Sequence, residues 1–200
     1  SGLVVEMGYQ IIDTVCRDAN RLKNVGLGDL SMSVNLSRRQ LRDEGLTEQV
    51  MAILDRHGLR GNQIEFELAE NAVMGDVALA REALGTLAIT GASFSLDDFG
   101  SGMSSLSVLQ QLPFSRVKID QQLVAGISQD RDQHALVMAV IQLAHSLKLS
   151  VVAEGVETAE QLKRLRELGC DEAQGFWLGA PQSIDDILRL LQVKPAELDA

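Results

Sequence analysis

Short apolar runs alternate along the chain with helix-length amphipathic stretches, and within each short run the polar residues keep one parity. Strands alternating with helices build βαβ units and a parallel sheet. Such strands ordinarily read as unbroken apolar runs, because helices cover both faces of the sheet. These do not. In SVN, Ser33 and Asn35 share one face while Val34 and the following Leu36 take the other. In IEFEL, Glu65 and Glu67 oppose Ile64, Phe66 and Leu68; in SFSLD, Ser93, Ser95 and Asp97 oppose Phe94 and Leu96. Lys118 opposes Val117 and Ile119, Val152 shares a face with Glu154, and Glu172 and Gln174 oppose Ala173. An open doubly wound sheet has no place for a polar side. A barrel has one, since its inner face closes on an enclosed interior and its C-terminal strand ends carry the chemistry. An antiparallel sheet with one wet face would show the same alternation, but the intervening helices count against it. The expected fold is α/β, a TIM-type (β/α)8 barrel, here incomplete with about six parallel strands and their helices.

The element boundaries follow from periodicity and punctuation. Helical spacing runs from about Leu3 to Leu22, then LSMSVNLS reads as a strand, and a helix is expected over about Arg38–His57, stopping at Gly58. After the strand IEFELAE, Asp76 is a candidate N-cap for a helix whose stripe is Ala80, Ala83, Leu84, Leu87 and Ala88, ended by Gly91. FSLDDF and RVKID are strands separated by a short helix, SSLSVLQQLP. A helix over about Asp132–Leu147 leads to the strand SVVAEGV. Thr158 and Gln161 form a capping box for a helix that stops at Gly169. EAQGFWLG reads as a sixth strand and Ser183–Leu191 as a last helix.

Composition bounds the partners. With 200 residues, 46% apolar content and 3 prolines, the chain can bury the core of one sizeable domain, residues 1–200, with no linker or repeat. A net charge of −10 argues against a nucleic-acid duplex as partner, and an anionic substrate needs cations between it and the protein. No apolar run reaches the roughly 18–20 residues of a membrane span. Cys16 and Cys170 lack metal-ligand spacing and read as reduced cysteines of a cytoplasmic protein. SGLVVEMGYQ has neither a signal-peptide pattern nor an initiator Met, so the chain is expected to be cut from something longer.

The parity argument gathers Asn35, Glu67, Asp97, Lys118, Glu154 and Gln174 at one mouth, with Asp98 on the rim. The set is rich in hard oxygen donors and lacks His and Cys, which suits Mg²⁺ or Mn²⁺ rather than Zn²⁺. An aspartate bridging two ions about 3.5–4 Å apart is what a two-metal phosphodiester hydrolase would use. Each residue taken alone has an ordinary reading. Asp98 could cap a helix, Asn35 could satisfy a turn, Lys118 and Asp120 could be a local ion pair, and Glu157 could be an acid in a first helical turn. Six such residues on one parity outweigh those readings together.

The motifs VNLS (34–37), FELAE (66–70), LDDFGSGMSSL (96–106), LPFSRVKID (112–120), VVAEGVET (151–158) and LGCDEAQGFWLGAP (168–181) occur in order, and with them the chain resembles the EAL family of bacterial cyclic-di-GMP phosphodiesterases over essentially its whole length. The resemblance implies a modified TIM barrel that cleaves cyclic-di-GMP to linear pGpG. It implies that Asn35, Glu67 and Asp97 hold one Mg²⁺ or Mn²⁺, and that Asp97, Asp98 and Glu154 serve the second. Lys118 would contact the attacking water or the phosphate, and Glu154 would also act as base. Glu70 would anchor the loop Gly100–Ser105, while Glu157 and Gln174 would line the site. It further implies a homodimer near the helix after Gly102, and upstream sensory or cyclase-like domains that could tether an otherwise membrane-free domain to a membrane protein.

Two departures stand out. The family's Glu-Ala-Leu motif ends an early strand, whereas the triplet Glu82-Ala83-Leu84 sits mid-helix and is a decoy. The true motif, a nearby arginine and roughly two strands of a barrel of about 250 residues are expected upstream. The loop carries Ser101 and Met103 where the family commonly has Thr and Tyr. A catalytically inactive member that binds cyclic-di-GMP or a protein partner is the competing reading, and another acidic-mouthed barrel using Mg²⁺ on carbonyl substrates is a third. Retention of the visible ligands favours the enzyme, and the six ordered motifs disfavour the third reading.

Overall fold

The computed structural model describes residues 2–100 and 106–192. The strands are β1 (Met32–Asn35), β2 (Ile64–Ala69), β3 (Ser93–Phe99), β4 (Arg116–Ile119), β5 (Ser150–Ala153) and β6 (Glu172–Ala173). They form one six-stranded sheet in the order β1-β2-β3-β4-β5-β6, and every neighbouring pair is parallel. Helices α1 (Leu3–Asn24), α2 (Leu46–His57), α3 (Glu70–Met74), α4 (Val77–Leu87), α5 (Leu106–Gln111), α6 (Gln121–Ala125), α7 (Arg131–Ser146), α8 (Ala159–Glu167) and α9 (Ile184–Gln192), with 3-10 turns at Gln40–Arg42, Gly61–Gln63 and Ala88–Thr90, complete the described elements. The sheet curls into a TIM-like half-barrel with its helices. No described helix is long and apolar enough to cross a membrane.

Parity decides the layers. Phe66, Leu68, Phe94, Leu96, Val117, Ile119, Val151 and Ala153 are all buried in one core. Val50 and Ile53 of α2, Leu84 and Leu87 of α4, and Val137 and Ile141 of α7 join them there. Phe66 and Phe94 stack at 6.2 Å between centroids across the β2–β3 pair. Burying each such side chain contributes roughly 1.5–3 kcal/mol, so the polar residues of alternate parity are forced to the concave side.

The expected punctuation is present. Asp76 accepts from the Leu79 N–H at 3.1 Å, and Thr158 and Gln161 form their reciprocal box. Gly58 ends α2 at φ 61°, a left-handed value that glycine adopts without steric cost. The triplet Glu82-Ala83-Leu84 lies inside α4, with Leu84 buried and Glu82 exposed.

Three local expectations are corrected. The helix expected from Arg38 begins only at Leu46, after a 3-10 turn over Gln40–Arg42. Polar side chains there compete for the backbone: Gln40 accepts from the Ser37 N–H, and Asp43 accepts from the Gly45 N–H. The sixth strand is only two residues long. Its chain turns at Gly175, whose carbonyl accepts from the Leu178 and Gly179 N–H groups. Short helices α3 and α6 follow β2 and β4 directly. Asp120 caps α6 by accepting from the Gln122 N–H at 2.6 Å instead of pairing with Lys118.

A Cβ at Gly175 would lie 2.2 Å from both the N and O of Val156, so the turn after β6 requires glycine. Gly175→Ala is expected to cost about 1–3 kcal/mol by overpacking. Gly179→Ala, with nothing within 4 Å of its Cβ, should stay within about 0.5 kcal/mol of the parent. Urea denaturation midpoints check the pair; equal midpoints for both variants would remove the packing argument.

Candidate functional site

The C-terminal strand ends meet at one mouth. Asn35 is the last residue of β1, Glu67 lies two before the end of β2, Asp97 two before the end of β3, and Lys118 one before the end of β4. Glu154 follows β5 and donates its N–H to the Ile119 carbonyl at 3.1 Å. Gln174 follows β6 and donates to the Ala153 carbonyl at 2.8 Å. Ladder pairing thus carries both residues one step past their strands, and parity puts Glu67, Asp97, Lys118 and Glu154 on one side, where Lys118 reaches the other three.

Lys118 is the hub. Its Nζ lies 3.0 Å from Glu67 Oε2, 3.3 Å from Asp97 Oδ1 and 2.6 Å from Glu154 Oε1, joining β2, β3 and the end of β5. Burial alone would lower the lysine pKa. The hydrogen bonds and charges of Glu154 and Glu67 outweigh it and hold the ammonium well above its ordinary range. Glu154 is pushed up, first by burial and then by the charges of Asp97 and Glu67, against the opposing pull of Lys118.

The adjacent acids reach this site through an irregularity in the sheet. The β3–β4 register shifts between Leu96 and Phe99, so Asp97 and Asp98 sit in a bulge. Asp98 has φ 57°, a left-handed conformation that Asp tolerates better than most residues, and its N–H donates to Asp97 Oδ1 at 3.1 Å. Strict alternation would separate neighbouring side chains. Here single carboxylate oxygens of Asp97, Asp98 and Glu154 all lie within 4.8 Å of one another. Burial, followed by the charges of Asp97 and Asp120, raises the Asp98 pKa. These oxygens form a hard donor set that fits Mg²⁺ or Mn²⁺.

Asp98 and Glu154 open onto a cavity of about 690 Å³ whose further walls include Gln121, Glu157, Gln174, Phe176 and Leu190. Glu157 and Gln174 thus line the same cavity as Asp98 and Glu154. Asn35 is exposed, paired in register with Glu67, and lines a separate cavity of about 480 Å³ with Asn71 and Arg38. Glu70 is buried at the start of α3, outside the lining of the larger cavity. The loop segment 101–105, with Ser101 and Met103, lies outside the described residues. Sequence reasoning missed Gln121, because α6 was not anticipated. It also missed the ion-pair hub: parity tells which face Lys118 takes but not which partners its flexible side chain selects.

A family model described as EAL domain matches residues 1–181. Over 188 residues the chain is 38% identical to the bifunctional diguanylate cyclase/cyclic di-GMP phosphodiesterase MucR of Pseudomonas aeruginosa, covering 94% of this chain and 27% of that protein. The chain spans about a quarter of the length of the first curated relatives it matches. The structure of the MucR phosphodiesterase in complex with c-di-GMP superposes with a TM-score of 0.88 at 38% identity, over 93% of this chain and 75% of that one. The manganese/cy-diGMP complex of Klebsiella pneumoniae BlrP1 superposes at 0.79 with 30% identity, over 86% of this chain and 43% of that one.

Because Glu154 and Asp98 both titrate above their ordinary values, protons compete with a cation at higher pH than usual. Mn²⁺ affinity, measured by calorimetry, is expected to fall with falling pH from an onset above the ordinary carboxylate range of about 4. Glu154→Gln should weaken binding at least about tenfold and shift that onset downward. An affinity that is flat between pH 8 and the ordinary carboxylate range (about 4) contradicts the assignment of these acids as ligands.

Proposed function

The chain belongs to the EAL domain family, and we propose that it is the cyclic-di-GMP-hydrolysing module of a longer, cytoplasmic signalling protein, cleaving its substrate to linear pGpG. The observation that carries this reading is the group of carboxylate oxygens from Asp97, Asp98 and Glu154, held at the strand ends and opening on the large cavity. Similarity to MucR supports the choice of substrate. The open sheet, with one edge of β1 and one of β6 unpaired among the described residues, supports the reading of a barrel-type domain. The full rate is assigned to the parent protein and a low rate to the 200 residues alone, and pairing of two such domains near the helix after Gly102 belongs to the same reading.

Each residue has a distinct task. Asn35, Glu67 and Asp97 would hold one Mg²⁺ or Mn²⁺, and Asp97, Asp98 and Glu154 a second. Divalent cations there supply charge neutralisation at the phosphodiester and acidify a water. Lys118, held protonated by its acidic partners, donates hydrogen bonds toward a phosphate oxygen or the attacking water. Glu154, with its raised pKa, accepts the proton of that water. Glu157 and Gln174 stand on the cavity wall, where they orient the dinucleotide.

The test is conversion of cyclic-di-GMP to linear dinucleotide by the parent protein with Mn²⁺ or Mg²⁺, followed by chromatography. Asp97→Asn should lose turnover while keeping the parental circular dichroism spectrum, since an amide cannot bridge two cations as a carboxylate does. Parental rates in that variant remove the bridging role. Binding of cyclic-di-GMP without cleavage by the parent protein would favour the regulatory reading over the enzyme.

A further inference from the structure

A second ionic rung lies directly below the mouth. Arg116 precedes Lys118 by two residues on β4, and Glu65 precedes Glu67 by two on β2, so each pair shares the inner face at successive levels. Above, Lys118 meets Glu67 at 3.0 Å; below, Arg116 Nη1 meets Glu65 Oε2 at 3.3 Å. Both bridges cross β3, where Ser93 is in register with Glu65, and Ser95 with both Glu67 and Arg116. These small side chains leave room for long cations and acids to meet over them.

The lower rung is well anchored. Arg116 also pairs with Glu172 Oε1 at 2.6 Å and donates from Nε to Ser150 Oγ at 3.3 Å, while Ser33 donates to Glu65 Oε1 at 3.5 Å. Glu65 is only 4% exposed. A carboxylate so buried draws strongly on any cation within reach. Arginine offers a planar fork that several partners fix in place, whereas lysine carries a point charge on a flexible stem.

We propose that Arg116 is a positioning residue: by neutralising Glu65 it leaves the ammonium of Lys118 committed to Glu67, Asp97 and Glu154 at the mouth. Without Arg116, Lys118 turns down to Glu65 and the mouth loses its proton-bearing cation. The kinetic part of the test rests on the proposed hydrolase reading; the structural part does not. In the parent protein, Arg116→Met is expected to lower kcat for cyclic-di-GMP about tenfold to 100-fold with KM nearly unchanged. Its crystal structure is expected to show Lys118 paired with Glu65. The double variant Arg116→Met/Glu65→Gln, which has no lower carboxylate to attract Lys118, should recover turnover, an outcome that general loss of packing would not give. Should Arg116→Met fail to fold, Arg116→Gln keeps a hydrogen-bond donor, removes the charge and permits the same measurements. Lys118 still bridging the three mouth carboxylates in the single variant, or no recovery in the double variant, overturns the proposal. A parent protein that does not cleave cyclic-di-GMP sinks the hydrolase reading alone, because the position of Lys118 is read without turnover.

Discussion

One ammonium holds the mouth of this sheet together. Glu67, Asp97 and Glu154 come from three different elements, and like charges a few ångströms apart repel by about 3 kcal/mol per pair at an effective dielectric near 20. Lys118 offsets this with three contacts between 2.6 and 3.3 Å, each with a gross attraction of about 5 kcal/mol on the same scale. Desolvation of the buried ions consumes much of that gain. What remains is geometric: the strand ends are drawn toward one point, and their oxygens converge where a hard cation can sit.

This arrangement depends on two departures from regularity. The sheet must curl, so that a polar face meets itself rather than a layer of helices. The β3–β4 ladder must also slip between Leu96 and Phe99, so that Asp97 and Asp98 can act together. A regular strand would send one of these acids to the helical side, where Phe94 and Leu96 are buried. The bulge and the left-handed backbone of Asp98 are therefore part of the site.

Much of this was legible in the chain. Alternation in IEFEL and SFSLD fixed which side chains face inward, and capping residues such as Asp76 and Thr158 marked helix starts correctly. Local competition hid the turn over Gln40–Arg42, where Ser37, Gln40 and Asp43 bond to one another or to nearby backbone. The two-residue β6 was hidden as well, since EAQGFWLG has strand-like composition while Gly175 packs against Val156 and turns the chain. Such close approaches depend on a neighbour distant in sequence.

The sequence by itself determined the class of fold and which strand residues, Glu67, Asp97 and Lys118 among them, share the inner face, because side-chain parity is a local property of an extended backbone. Only the tertiary structure decided that Lys118 serves three acids at once, that Asp120 caps a helix instead of pairing with it, and that Arg116 occupies a second rung with Glu65 and Glu172. The physical reason is that long charged side chains choose partners across strands, and those choices depend on curvature, register and burial that no single segment encodes.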